Sequence, residues 1–288
     1  MSPTTSDCET VMWPRLLGVV GGLGPLAHIE LERRLVSAVM ERARLLGQSL
    51  TDQLYPPWVV TSIPRTPDRT AALLHHVPSP IPMVLSALLT LKSCDCHFAL
   101  IPCNTIHAWI REIKEVAPLP ILDMVQATIE QEGRLCGANA SIGLLATDGT
   151  LRSRIFSPHG SAPSNESLRL VSPLDLDRGE VLQSTVMDCI YGPIQISTGT
   201  RVAGIKSGAY LHDAGVRELI ERSLCEVIDK LADRGVHSII LGCTELSLVL
   251  NAEIVRLRLN REVRLVDPMD VAARIAIQIA AGEAPLPG

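Results

Sequence analysis

The stretch FALIPCNTIH, residues 98–107, decides the fold, because its apolar run stops at a proline and a cysteine and the chain repeats that change later. The second copy is SIILGCTELS, residues 238–247. In each copy the cysteine is followed by polar residues that are typical of a helix start. The pattern predicts a buried strand followed by a helix, with Cys103 and Cys243 at the two junctions.

A second pair of similar segments supports an internal duplication. LLGVVGGLGPLA (16–27) and SIGLLATDGTLRS (141–153) each place a loop of small residues between an apolar strand and a helix. The two pairs are separated by similar distances along the chain. We therefore expect two pseudo-symmetric domains that use the same corner once each.

Strands alternate with helical patterns along nearly the whole chain. The predicted strands cover residues 16–20, 58–63, 97–101, 121–123, 141–146, 168–172 and 237–241. The predicted helices cover residues 27–46, parts of 68–92, 104–116, the segment up to about 135, the segment from about 150, 174–190, 214–234 and 268–281. This alternation predicts an α/β fold in which each domain has a parallel sheet flanked by helices. The glycine-rich connection from Gly192 to Asp213 is long, which marks it as functional.

The length of 288 residues exceeds the usual size of one hydrophobic core and favours two domains. Residues 1–14 are predicted to be a flexible tail. The first α/β domain is predicted to cover residues 15–125 together with the C-terminal helix at 267–288, and the second covers 126–266. Ligands of open parallel sheets bind at the carboxyl ends of the strands, so we expect the active site in the cleft between the domains.

Composition excludes several classes of protein. A net charge of −5 and a content of only three Tyr and two Phe argue against nucleic-acid binding. No apolar run is long enough for a membrane span, and the first residues do not resemble a signal peptide, so a cytoplasmic protein is expected. The eight cysteines include no CxxC pair, which predicts neither a zinc site nor a disulfide scaffold.

The predicted position of the two cysteines indicates proton-transfer chemistry. A cysteine at a helix N-terminus lies beside unpaired backbone N–H groups, which lower the pKa of its thiol. Neighbouring Asn and Thr side chains add donors for a carboxylate. Two thiols that face one bound molecule from opposite domains could remove a proton from one side of a carbon and return one from the other, with no cofactor.

Several motifs then resemble those of the aspartate/glutamate racemase superfamily, whose members need no cofactor. The resemblance runs in order along residues 15–281 and rests on VGGLGPLA (20–27), TPDRT (66–70), IPCNTIH (101–107), IYG (190–192), GIKSG (204–208), LGCTEL (241–246) and DPMD (267–270). It implies a racemase of aspartate or glutamate that is independent of pyridoxal phosphate and metal. It also implies a dicarboxylic amino acid as the binding partner and a homodimer as the assembly.

The resemblance also implies roles for individual residues. Cys103 and Cys243 would be the acid/base pair. Four side chains would donate hydrogen bonds to the α-carboxylate and the amino end of the substrate, namely Asn104, Thr105, Thr147 and Thr244. Arg69 and Lys206 would bind the distal carboxylate, with Gln195 as an alternative to the lysine.

Other interpretations stay open on the sequence alone. Glu245 either orients its loop or binds substrate, and Thr147 is either a ligand or a helix cap. Gly22, Gly24 and Ala27 satisfy a G-x-G-x-x-A pattern, which would indicate a dinucleotide-dependent oxidoreductase. A Cys-His hydrolase would use Cys103 and His107. A non-catalytic amino-acid-binding protein, a maleate isomerase, a hydantoin racemase and an arylmalonate decarboxylase are the remaining alternatives.

Overall fold

The structure is a computed structural model and describes residues 13–75, 77–137, 140–157, 168–195, 200–201 and 203–288. Residues 1–12, most of the predicted tail, lie outside the described residues. Trp13 packs against the core and donates its indole N–H to the carbonyl of Leu54 at 3.1 Å. The described residues form two parallel four-stranded sheets flanked by helices, which confirms the predicted fold class.

The first sheet is built from the N-terminal part of the chain. Its strands and helices are β1 (Leu17–Gly21), α1 (Pro25–Leu45), β2 (Trp58–Ser62), α2 (Arg69–Leu74), α3 (Ile81–Ser93), β3 (Phe98–Leu100), α4 (Ile110–Val116), β4 (Ile121–Leu122) and α5 (Met124–Cys136). Every residue of β1 and β3 is buried, which explains why these strands read as continuous apolar runs.

The second sheet is built from the remainder of the chain. Its elements are β5 (Ser141–Leu145), α6 (Asp148–Ser153), β6 (Arg169–Val171), α7 (Gly179–Tyr191), β7 (Ile194–Gln195), β8 (Thr200–Arg201), α8 (Ala214–Ala232), β9 (Ser238–Leu241), α9 (Ala252–Leu259), β10 (Leu265–Val266) and α10 (Pro268–Ala280). β7 and β8 form a small antiparallel hairpin beside the main sheet.

The two sheets have the same topology, which confirms the predicted duplication. The first has the order β2-β1-β3-β4, and the second has the order β6-β5-β9-β10 when it is followed in the same direction. Each sheet therefore places its first strand between its second and third strands, with all neighbours parallel. The segments that contain Cys103 and Cys243 follow the third strand in each case.

Three helices join the two sheets through a shared core. α10 packs against both α1 and α5, and its apolar side chains belong to one cluster with residues of both sheets, including Leu100 and Ile240. A continuous core of this kind resists relative movement of the two sheets. In the described part of the chain, no helix has the length and the apolar character needed to cross a membrane.

The structure corrects the predicted elements in four places. A five-residue 3₁₀ helix, Thr105–Trp109, precedes α4 where one continuous helix was predicted. The segment after Cys243 holds only a three-residue 3₁₀ turn, Leu246–Leu248. The short elements α9 and β10 were not predicted from the sequence. The connection from Gly192 to Asp213 contains a hairpin and two 3₁₀ turns among its described residues.

Candidate active site

Both cysteines line one cavity at the carboxyl ends of the strands. We call residues 103–105 the first thiol corner and residues 243–245 the second thiol corner. Cys103 and Cys243 are each 5% exposed, and the cavity between them is narrow, with a volume of about 10 Å³. All nine predicted site residues line this cavity, namely Arg69, Cys103, Asn104, Thr105, Thr147, Lys206, Cys243, Thr244 and Glu245.

Threonine hydroxyls from the two domains meet in the cavity. Thr105 Oγ1 lies 3.3 Å from Thr147 Oγ1 and 2.9 Å from Thr150 Oγ1. Thr147 Oγ1 also accepts the backbone N–H of Thr150 at 3.3 Å, which caps α6. Thr147 is therefore a helix cap whose hydroxyl also lines the cavity, so its two sequence-based interpretations are compatible.

The amide of Asn104 is buried without a protein partner. The residue is 1% exposed, and neither its Nδ2 nor its Oδ1 has a hydrogen-bond partner. An unpaired buried amide is costly, and it is tolerated where a ligand supplies the missing bonds. Asn104 is thus placed to donate to, and accept from, a molecule held between the thiols.

The second thiol corner contains a chain of charged and polar groups. The Cys243 thiol donates to Glu245 Oε2 over 3.1 Å, and the Thr244 hydroxyl donates to the same oxygen over 3.2 Å. The other carboxylate oxygen, Oε1, lies 3.2 Å from Lys206 Nζ. Glu245 therefore connects the thiol to the lysine, which favours the interpretation that it orients the corner.

Burial and charge set the protonation of this corner. Burial raises the pKa of the Cys243 thiol well above its ordinary value, the Glu245 charge raises it further, and Lys206 opposes them. Burial also tends to raise the pKa of Glu245, but Lys206 and the bond from Cys243 lower it below its usual range. At neutral pH the corner holds a thiol, a carboxylate and an ammonium group.

This result corrects the expectation that helix N-termini lower the pKa of both thiols. For Cys243 the element behind the thiol is a three-residue 3₁₀ turn, which contributes a far weaker dipole than an α-helix of several turns. Desolvation of a fully buried thiolate and the adjacent carboxylate outweigh that small effect.

The first thiol corner lies beside Arg69. This arginine is 7% exposed and donates to the carbonyls of Leu23 at 2.7 Å and Pro67 at 3.2 Å. Burial works to lower the pKa of Arg69, but Cys103 and Asp68 raise it above its usual value. Its Nε has no hydrogen-bond partner, so the guanidinium keeps a donor available inside the cavity.

Lys206 is at the cavity, but its position differs from the simplest prediction. Its ammonium is paired with Glu245 and stacks over the ring of Tyr191, with 5.0 Å between Nζ and the ring centroid. Burial lowers the pKa of Lys206, yet Glu245 and Tyr191 raise it above its usual range. The side chain of the alternative residue, Gln195, lies outside the part of the chain that the structure describes.

His107 does not contact the Cys103 thiol through its ring nitrogens. Its Nδ1 lies 2.9 Å from the carbonyl oxygen of Cys103, so that nitrogen carries a proton and donates it. A hydrolase of the Cys-His type needs a ring nitrogen to accept the thiol proton. This geometry therefore argues against that alternative.

The glycine-rich segment after β1 packs against the second thiol corner. Gly24 has φ +128°, and a Cβ built on it would lie 2.5 Å from Glu245 Oε1. Only glycine fits both the backbone conformation and the close approach of the carboxylate. The glycine that suggested a dinucleotide site thus serves the contact between Glu245 and the first domain.

Two polar residues at the site, Tyr191 and Thr150, were not predicted from the sequence. Tyr191 lines the cavity, and its hydroxyl donates to Asp68 Oδ2 at 3.1 Å, a contact from α7 to the cap of α2. Its segment, IYG, is among the resembling motifs and was the available signal. Thr150 had no comparable signal, because its contact with Thr105 depends on the packing of α6 against the first domain.

A wider cleft of about 630 Å³ lies outside the cavity. It shares Arg69, Lys206 and Glu245 with the cavity, and it is bordered by loops that contain Thr66 and Gly208. The three shared side chains therefore form the boundary between the reacting centre and the route to solvent.

Comparison with known proteins agrees with this arrangement. The profile of the Asp/Glu/hydantoin racemase family matches residues 20–162 and 170–276, which is most of the chain. The chain belongs to the Asp/Glu/hydantoin racemase family.

Individual relatives are distant in sequence. The aspartate racemase of Picrophilus torridus superposes with a TM-score of 0.66 at 22% identity, covering 93% of this chain and 94% of that one. The glutamate racemase of Francisella tularensis in complex with D-glutamate has a TM-score of 0.55 at 18% identity, covering 92% and 80%. The broad specificity amino-acid racemase RacX of Bacillus subtilis (strain 168) is 24% identical over 141 residues, 49% of this chain and 58% of the relative. The structural likenesses establish the fold that the chain shares with these racemases.

Proposed function

We propose that the protein is an amino acid racemase that inverts the Cα of aspartate or glutamate by two-base proton transfer. The observation that carries the proposal is the convergence of Cys103 and Cys243 on one cavity from equivalent corners of two duplicated domains. A molecule held between them presents one face to each thiol.

The proposed reaction balances with these two side chains alone. One cysteine, as thiolate, removes the Cα proton and becomes a thiol, which leaves a carbanion stabilised by the α-carboxylate. The other, as thiol, delivers its proton to the opposite face and becomes the thiolate. The return of protons through solvent restores the starting state, and no pyridoxal phosphate or metal takes part in these steps.

The surrounding polar groups are suited to hold the substrate. Asn104 with its unpaired amide, together with the hydroxyls of Thr105, Thr147 and Thr244, would bind the α-carboxylate and amino group. Arg69, with its free Nε donor, would bind the distal carboxylate. Lys206 would share its charge between that carboxylate and Glu245.

The test is proton exchange at Cα in deuterated buffer, followed by NMR for each L-amino acid. We expect aspartate or glutamate to lose its Cα proton signal and the D-enantiomer to accumulate, with and without a chelator. The panel includes neutral and basic amino acids because of the likeness to the broad specificity racemase. Failure of every amino acid to exchange would reject the proposal, and dependence on added pyridoxal phosphate or metal would reject the mechanism.

A variant in which both cysteines are replaced by alanine is the matched control, because it keeps the cavity polar groups in place. Exchange that persists in this variant would come from another source. The homodimer and the cytoplasmic location stay predictions, and size measurement by light scattering tests the first.

A further inference from the structure

The residue four positions after each cysteine has the same relation to its thiol corner. These residues are His107 and Ser247, which are 3% and 9% exposed. They are chemically different, so the sequence repeat does not reveal the relation. Neither side chain is among the residues that line the cavity.

In the first domain His107 lies between its corner and the start of α5. Its Nδ1–H donates to the carbonyl of Cys103 at 2.9 Å, and its Nε2 lies 3.8 Å from Asp123 Oδ1. Asp123 follows β4 and caps α5 by accepting the backbone N–H of Gln126 at 2.9 Å.

In the second domain Ser247 occupies a comparable place. Its hydroxyl donates to the carbonyl of Thr244 at 3.0 Å, and its side chain faces the carboxyl group of Asp267. Asp267 follows β10 and caps α10 by accepting the backbone N–H of Met269 at 2.9 Å. Arg34 of α1 then holds Asp267, with 3.3 Å between Nη2 and Oδ2.

We infer that His107 and Ser247 are positioning residues that hold the two thiol corners through hydrogen bonds to the corner carbonyls. Each also faces the aspartate cap of the helix that follows the fourth strand of its sheet. This inference rests on the proposed function.

A positioning role makes a prediction that differs from a role in stability alone. The two enantiomers have equal free energies, so racemisation must slow equally in both directions. The rates of Cα proton exchange without inversion can differ between the two enantiomers, because each thiol can remove and return a proton on its own face of the substrate. Displacement of one corner should therefore impair exchange of one enantiomer.

The experiment measures Cα exchange of L- and D-substrate separately in His107→Asn, His107→Gln and Ser247→Ala. The amide nitrogen of Asn occupies the place of Nδ1 and can still donate to the Cys103 carbonyl, whereas the Gln amide lies one atom further out. We expect His107→Gln to slow exchange about tenfold for the enantiomer that Cys103→Ala also loses, with His107→Asn within about threefold of the parent. Ser247→Ala should slow the other enantiomer, and KM should change by less than about threefold.

Thermal unfolding of each variant separates positioning from stability. An equal slowing of both enantiomers, or a His107→Asn variant no more active than His107→Gln, would overturn the inference while leaving the racemase proposal intact. Absence of exchange in the parent enzyme would overturn both.

Discussion

The first and second thiol corners share a backbone arrangement but differ in charge. Cys103 lies beside a buried arginine that also donates to the carbonyls of Leu23 and Pro67. Cys243 donates to Glu245, which is itself paired with Lys206. An adjacent cation favours negative charge on a sulfur, and an adjacent carboxylate opposes it.

The difference shows how a duplicated fold can perform an asymmetric task. A two-base racemase needs one thiolate and one thiol at the start of each turnover. Two thiols in identical environments would have equal pKa values, so the proton would have no preference for either one. Here the burial and the Glu245 charge that raise the pKa of Cys243 assign the proton to the second corner.

Removal of either thiol should have the largest effect. Cys103→Ala and Cys243→Ala should each lower the kcat of racemisation by roughly 10²–10⁴-fold, the range expected for loss of a general acid or base. Each variant should still exchange the Cα proton of one enantiomer, and the two variants should retain opposite enantiomers. The measurement is polarimetry for racemisation and NMR for exchange.

Small cavities at these positions should not unfold the protein, so circular dichroism of both variants serves as the control. Retained racemisation in either variant, or the same residual enantiomer in both, would show that the corners do not serve opposite faces.

Replacement of the cation at the first corner should have the next largest effect. Arg69→Leu removes a charge-assisted contact of roughly 1.5–3 kcal/mol, which corresponds to a fall of about one to two orders of magnitude in kcat/KM for aspartate or glutamate. Neutral amino acids should lose little, because they lack the distal carboxylate. Steady-state kinetics on both substrate classes checks this.

Arg65→Leu is the matched control, since Arg65 is an exposed arginine in the loop that leads into α2, four residues before Arg69. An equal fall for acidic and neutral substrates in Arg69→Leu would mean that Arg69 mainly holds the loops of Leu23 and Pro67 together.

Neutralisation of the anion at the second corner should change the reactivity of one thiol. The Glu245 charge raises the pKa of Cys243, so Glu245→Gln should lower that pKa and leave Lys206 free to favour the thiolate. The rate of alkylation of Cys243 by iodoacetamide near pH 7.5 should rise by roughly tenfold, because the thiolate is the form that reacts. Peptide mass spectrometry measures the rate at each cysteine.

Cys225 is the internal reference, because burial raises its pKa to about 11 and it lies in α8, away from the cavity. An unchanged or slower reaction at Cys243 would refute the role of Glu245, and a parallel rise at Cys225 would indicate general loosening.

The smallest expected effect concerns the aspartate behind the second corner. Burial, with Asp270 adding to it, raises the pKa of Asp267 to about 6 from 3.8, although Arg34 opposes the shift. Between these values the folded protein retains a proton that the unfolded chain has lost, so the contribution of Asp267 to stability falls as pH rises through 6. Between pH 5 and pH 7 the free energy of unfolding of the parent should fall by on the order of 1 kcal/mol relative to that of Asp267→Asn.

Urea unfolding at the two pH values gives this difference directly, with the Asn variant as the reference that cannot titrate at position 267. If the difference in free energy of unfolding between the parent and the Asn variant stayed constant with pH, or changed in favour of the parent as pH rises, the raised pKa of Asp267 would be contradicted.

Much of the architecture could be predicted because it depends on local patterns. The buried strands β1, β3, β5 and β9 are continuous apolar runs, and the two cysteine segments resemble each other directly. β10 was not predicted because two residues are too few to show a hydrophobic periodicity. α9 was not predicted because it is only eight residues long. The 3₁₀ helix after Cys103 was not predicted, because a 3₁₀ helix and an α-helix begin with the same types of residue.

The site likewise combines residues that could be predicted from the sequence with contacts that could not. The motifs that resemble the racemase superfamily predicted nine of the eleven residues that line the cavity, and the two cysteine segments meet there because the carboxyl ends of parallel strands lie at one edge of a sheet. The pairing of Lys206 with Glu245 and the contact of Arg69 with the Leu23 carbonyl join segments distant in the chain. No local pattern encodes such contacts.

The sequence by itself therefore determined the duplicated α/β fold, the two thiols and the polar groups around them. Only the tertiary structure decided which charged side chains lie beside each thiol, and that burial and Glu245 raise the pKa of Cys243. The reason is physical: strand and helix formation depend on neighbours in the chain, whereas pKa values depend on burial and on charges brought together by folding.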